Sequence, residues 1–162
     1  MYSFKSDYSE GAHPKILEAL MTTNLEQTDG YSMDPHSKNA ARLIRQAIGR
    51  PDADIHIVVG GTQANTILIA SALRPYQAVI SAATGHICVH ETGAIEATGH
   101  KIIAMPAPDG KLTAALIEQA LAAHTDEHMV RPKLVYISQP TELGTLYSRA
   151  EIEEIRACCD RY

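Results

Sequence analysis

From residue 55 onward the chain repeats one pattern four times: a short, β-branched apolar run followed by a stretch of helical periodicity. "IHIVV" (55–59) precedes a helix over 62–73, and "AVISA" (78–82) precedes "HICVHETGAIEA" (86–97). "KIIAM" (101–105) precedes "TAALIEQALAAH" (113–124), and "KLVYIS" (133–138) precedes "SRAEIEEIRACCDR" (148–161). That last helix opens on the capping box Ser148…Glu151. Short β-branched strands one crossover helix apart are the signature of a mainly parallel sheet covered on both faces. The pattern therefore predicts an α/β chain: a three-layer α/β/α arrangement around a mainly parallel sheet.

The region before residue 50 reads differently. "HPKILEALMTTN" (13–24) is a helix with Pro14 in its first turn, and Ile16, Leu17, Leu20 and Met21 recur at helical spacing. "TDGYSMDP" is a loop, and "NAARLIRQAIG" (39–49) is a second helix that Gly49 caps. The expected organisation is a helical arm over 1–50 and the α/β domain over 51–162. A chain of 162 residues supports one core of ordinary size. An α/β chain normally follows a helix such as 148–161 with another strand, so the expectation is an N-terminal portion of a longer protein.

A net charge of −5 without a basic run argues against a nucleic-acid surface. No apolar stretch is long enough to span a membrane, and "MYSFKSDYSEG" lacks the apolar centre of a signal peptide. The three cysteines, Cys88, Cys158 and Cys159, make no disulfide framework, which fits a reducing, cytoplasmic setting.

Function turns on "GGTQAN". A strand that stops on Gly60-Gly61-Thr62 and restarts as a helix presents free backbone N–H groups, a favourable dipole and an unobstructed approach for an oxyanion. It is neither a P-loop nor a dinucleotide fingerprint. A tight βα turn with Thr62 as N-cap accounts for the same residues. At the next junction, His86 opens a helix after the neighbouring strand. Parallel strands share one C-terminal edge, where ligands bind, so His86 and the glycines could line one pocket. A phosphate at one junction and a stacking imidazole at the other describe a phosphorylated aromatic cofactor. Glu91 would lie more than a turn deeper, and a His such as His86, taken alone, is more often a capping or surface residue.

"FKSDYSEGAHPKILEAL", "GGTQAN", "GHICVHETGAIEATGHKI" and "ISQPTELGTLYS" together resemble the N-terminal half of the threonine aldolase/β-eliminating lyase family. The resemblance covers nearly the whole chain. It implies a large domain of the aspartate-aminotransferase fold and the cofactor pyridoxal 5′-phosphate (PLP). It assigns Gly60, Gly61 and Thr62 to the cofactor phosphate and His86 to the pyridine ring, with Glu91 and Gln139 also on the cofactor side. Ser6, Tyr31 and Thr141 go to the substrate, and Asp34 to the loop that carries Tyr31. His86 and Glu142 are the catalytic candidates, with Glu142 or a water near it as the base that takes the proton of the β-hydroxyl.

The implied activity is cleavage of a β-hydroxy amino acid, threonine to glycine and acetaldehyde, by a homodimer or homotetramer. Two departures qualify it. Better-studied members carry a His near the position of Glu142, which leaves another β-eliminating reaction open. The Asp that pairs with the pyridine nitrogen and the Schiff-base Lys have no counterparts. The six lysines, Lys5, Lys15, Lys38, Lys101, Lys111 and Lys133, stand in no matching context. Alone, the chain is expected to be inactive. Two rivals remain: a non-catalytic piece that dimerises with a fuller chain, and a metal site built on His86, His90 and Glu91. His124 and His128 read as a solvated helix end, and Tyr136 and Tyr147 as packing residues.

Overall fold

The computed structural model describes Ser3, Ser6 and residues 8–162. Phe4, Lys5 and Asp7, from the quoted "FKSD", lie outside the described residues. The chain divides into two compact units, Met1–Ile57 and Val58–Tyr162.

The first unit holds two helices, α1 (Pro14–Thr23) and α2 (Pro35–Ile48). Each starts on a proline, whose missing N–H costs nothing there. Helix α2 begins four residues before the expected Asn39, because Asp34 caps it: the Asp34 carboxylate accepts the Ser37 N–H at 2.7 Å. The Ser37 side chain first, and this backbone bond second, hold the Asp34 carboxyl below the usual carboxylate range. The helix ends as expected on Gly49, in the left-handed region at φ 66°. Between the helices, Tyr31 and Ser32 both take left-handed backbone, at φ 59° and 60°.

The second unit is the α/β layer. Helix α3 (Gly61–Ala72) leads into β1 (Gln77–Ala82), a short α4 (His86–Val89), β2 (Lys101–Met105), α5 (Ala114–Ala122), β3 (Arg131–Val135) and α6 (Arg149–Arg161). The strands are parallel in the order β2-β1-β3, which puts β1 at the centre. Strand alternation divides its side chains between two cores. Ala78, Ile80 and Ala82 face one core, with Ile103, Met105, Ile117, Ala120, Ile155 and Cys158 from β2, α5 and α6. Val79 faces the other, with Ile69, Leu73, Ile87 and Ile95 from α3 and the α4 region. Helices therefore cover both faces, as expected of a three-layer parallel arrangement. Tyr147 is buried in the first core and its hydroxyl accepts the Leu112 N–H at 2.6 Å, a packing role.

Three expectations need correction. Residues 55–59 are not a strand. A strand exists only beside a ladder partner, and among the described residues none pairs with this run; the Val59 N–H goes instead to the Gln63 side chain at 2.9 Å. Residues 86–97 are not one helix. The helix stops at Val89, Thr92 and Gly93 turn the chain through positive φ (51° and 78°), and a single 3-10 turn, Glu96–Thr98, follows. Strand β3 begins and ends earlier than 133–138, and its register against β1 slips so that Lys133 bulges out beside Pro132.

Candidate active site

Parallel order brings the C-terminal ends of β1, β2 and β3 to one edge, where the loops that follow them gather. The turn ahead of α3 carries Gly60, Gly61 and Thr62, with Gly60 as N-cap. Thr62 is therefore inside the helix, not its cap. Gly60 has extended backbone, φ 177°, which any residue can adopt. A Cβ at Gly60 or Gly61 would meet nothing within 4 Å. The chain's own packing demands neither glycine. What they provide is an open cradle over the N–H groups of a helical first turn, and a tetrahedral dianion such as a phosphate fits it.

Gly85 is different. It precedes His86 at the end of β1, and a Cβ there would collide with Ser81 Oγ and stand 3.0 Å from the Ala82 carbonyl. Its absence of side chain lets α4 turn off the strand and places the His86 ring. The His86 Nδ1 lies 2.8 Å from Glu91 Oε1, and Asn65 Nδ2 donates to the same oxygen at 2.6 Å. Asn65 is on α3, one turn after the glycines. The Asn65–Glu91–His86 chain thus ties the phosphate-type cradle to the imidazole. The Glu91 side chain is fully buried, whereas the His86 ring keeps 39% of its exposure. Glu91 consequently reaches the site through His86 and Asn65, not by its own surface.

Beyond His86 stands His90, with ring centroids 5.4 Å apart, and His90 Nε2 is 3.8 Å from Glu142 Oε2. Glu142, from the loop after β3, therefore faces the His86 side of the edge, with Ser81, Thr84, Gly110 and Thr141 around a small pocket beside it. The other two loop residues brace the loop. The Gln139 amide is taken up at both ends by the Tyr147 backbone, at 2.9 and 3.0 Å. The buried Thr141 hydroxyl pairs with Thr145 Oγ1 at 2.7 Å and accepts from two loop N–H groups. Burial pushes the Cys88 thiol on α4 up.

Ser6, Tyr31 and Asp34 belong to the first unit. The Ser6 hydroxyl is 2.5 Å from that of Ser9, and the Tyr31 side chain is fully exposed. The metal reading built on His86, His90 and Glu91 finds no converging donor set. Among the described residues the only such cluster is Asp126, Glu127 and His128, all exposed on the loop after α5. Of the described lysines, Lys111 is bonded to Glu151, Lys133 to the Tyr162 carbonyl, and Lys101 opens β2 at the opposite end of the sheet.

Sequence reasoning missed Asn65 and Ser81. Asn65 closes the quoted "GGTQAN", and a polar side chain one helical turn behind an anion-type turn was the available signal. Ser81 had none: its burial follows from sitting in the central strand.

Comparison with known proteins gives the chain its relatives. The family described as Beta-eliminating lyase matches residues 3–162. The low-specificity L-threonine aldolases of Pseudomonas aeruginosa and of Pseudomonas sp. strain NCIMB 10558 are each 31% identical to it over 158 residues, 96% of this chain and 45% of theirs. The solved structure of Leishmania major threonine aldolase superposes with a TM-score of 0.95 at 55% identity, over 99% of this chain and 47% of that one. The chain thus spans a little under half the length of the relatives it matches.

Proposed function

This chain belongs to the β-eliminating lyase family, and from that premise we propose that it builds the phosphate-and-ring part of a PLP site that cleaves β-hydroxy amino acids, threonine to glycine and acetaldehyde. The first-turn N–H groups of α3 and the Thr62 hydroxyl hold the cofactor phosphate in the cradle left by Gly60 and Gly61. The His86 imidazole would hold the pyridine ring by stacking. Bound PLP supplies an electron sink for the pair released when the Cα–Cβ bond breaks. Glu142, partly exposed and beside His90, accepts the β-hydroxyl proton. Gln139 and Thr141 hold the loop that presents Glu142. The observation that carries this reading is the Asn65–Glu91–His86 chain, which makes one site of two junctions.

The test is PLP affinity, by fluorescence titration, in His86→Phe and His86→Ala. Both variants lose the bond to Glu91, so the difference between them isolates the ring. Stacking on an aromatic side chain is worth on the order of 1 kcal/mol, so His86→Ala binds about fivefold more weakly than His86→Phe. Equal affinities defeat the stacking role.

A second reading, another PLP-dependent β-eliminating reaction, is favoured by Glu142 in place of the imidazole of better-studied members. Identification of the product from threonine and from serine by the whole protein separates the two. A homo-oligomer belongs to the proposal, supported by the exposed apolar row Ile16, Leu17, Leu20 and Met21 on α1.

A further inference from the structure

Glu91 is the one described residue whose buried side chain keeps an oxygen, Oε2, without a hydrogen-bond partner. All of its bonding runs through Oε1, which takes the Asn65 amide at 2.6 Å and faces His86 Nδ1 at 2.8 Å. The Asn65 Nδ2 group is donor-only, so Oε1 is an acceptor on that side. A proton on Oε2 would be a buried donor with nothing to donate to. A carboxylate whose Oε1 accepts from both neighbours forms two short charge-assisted bonds, at 2.6 and 2.8 Å, which are stronger than those of a neutral acid, and this makes His86 Nδ1 the donor. In a neutral imidazole the bond made by one nitrogen decides the state of the other. Among the described residues, His86 Nε2 has no protein hydrogen bond.

We propose that Glu91, held by Asn65, is a positioning residue: it accepts the Nδ1–H of His86 and so fixes the ring's orientation with Nε2 unprotonated and available to a ligand. That Nε2 meets the cofactor or substrate rests on the reading given under Proposed function; the tautomer itself does not. The groups around the pair are few. Asn65 comes from α3, His90 from the end of α4, and Glu142 stands beyond His90.

The experiment is nitrogen NMR of the chain carrying ring-labelled histidine, without PLP, at mildly alkaline pH. The His86 signals are picked out of the eight histidines by their loss in His86→Gln. The expected result is Nδ1 in the protonated range and Nε2 in the unprotonated range. A protonated Nε2 overturns the proposal. Glu91→Gln keeps an acceptor oxygen and is expected to keep the tautomer. Glu91→Leu removes it, and the tautomer ratio is expected to move about tenfold or more toward Nε2–H, the scale of a hydrogen bond to a charged acceptor. An unchanged ratio in Glu91→Leu also overturns the proposal, since a merely structural role would leave the tautomer alone. A chain with the expected tautomer that binds no PLP defeats the functional reading and leaves this one standing. A chain that binds PLP with Nε2 protonated does the reverse.

Discussion

Glycine stands at two of the turns around the site for opposite reasons. Gly85 is required by the chain itself, because a methyl there runs into the buried Ser81 hydroxyl and the Ala82 carbonyl. Gly85→Ala is expected to lose about 1–3 kcal/mol of stability in urea unfolding, the usual range for overpacking. Adding Ser81→Ala clears the hydroxyl and is expected to restore part of that loss. A Gly85→Ala protein as stable as wild type would contradict the contact. Gly60→Ala, by contrast, meets open space and is expected to leave unfolding unchanged while weakening PLP binding. The two kinds of glycine look alike in the sequence. Only the neighbour that each one faces separates them, and that neighbour is set by how strand β1 hands over to α4.

At the scale of elements, what was legible is what is local. The capping box of α6 is in the sequence and in the structure: Ser148 Oγ accepts the Glu151 N–H, and the Glu151 carboxylate accepts the Ser148 N–H at 2.7 Å. Ser148→Ala is expected to cost about 1 kcal/mol. Glu151 does a second task that the sequence did not announce, meeting Lys111 Nζ from the loop before α5 at 2.5 Å. The Lys111 bond first, then the cap, lower its carboxyl from 4.5 to about 2. A carboxyl lowered on folding contributes stability that is full above its unfolded value and lost as pH falls through its folded one. The thermal-stability gap between wild type and Glu151→Gln is therefore expected to be constant near neutrality and to close between pH 4.5 and about 2. A gap that is unchanged at the acid end would contradict the assignment. What was not legible is what needs a distant partner. Residues 55–59 have strand composition but, among the described residues, no ladder beside them, and residues 86–97 have helical composition but bend where Glu91 turns inward to Asn65 and His86.

At the scale of the whole molecule, the second unit packs two cores on either face of one short parallel sheet, and the site lies at the edge where its strands end. The lysines bear on what that site can do alone. Within the second unit, Lys111 and Lys133 are bonded elsewhere and Lys101 is at the far end of β2. PLP bound to this chain is expected to be released on denaturation even after borohydride, and threonine is expected not to turn over. A lysine-linked adduct found by peptide mapping would contradict this. The central claim, a phosphate held over Gly60–Thr62, is tested most directly by calorimetric titration of PLP into wild type and Gly61→Asp. The cradle is open, so Gly61→Asp folds, but its carboxylate occupies a place suited to an anion. The expected result is saturable binding by wild type and loss of it by Gly61→Asp with an unchanged circular-dichroism spectrum; equal affinity in the two folded proteins would contradict the claim.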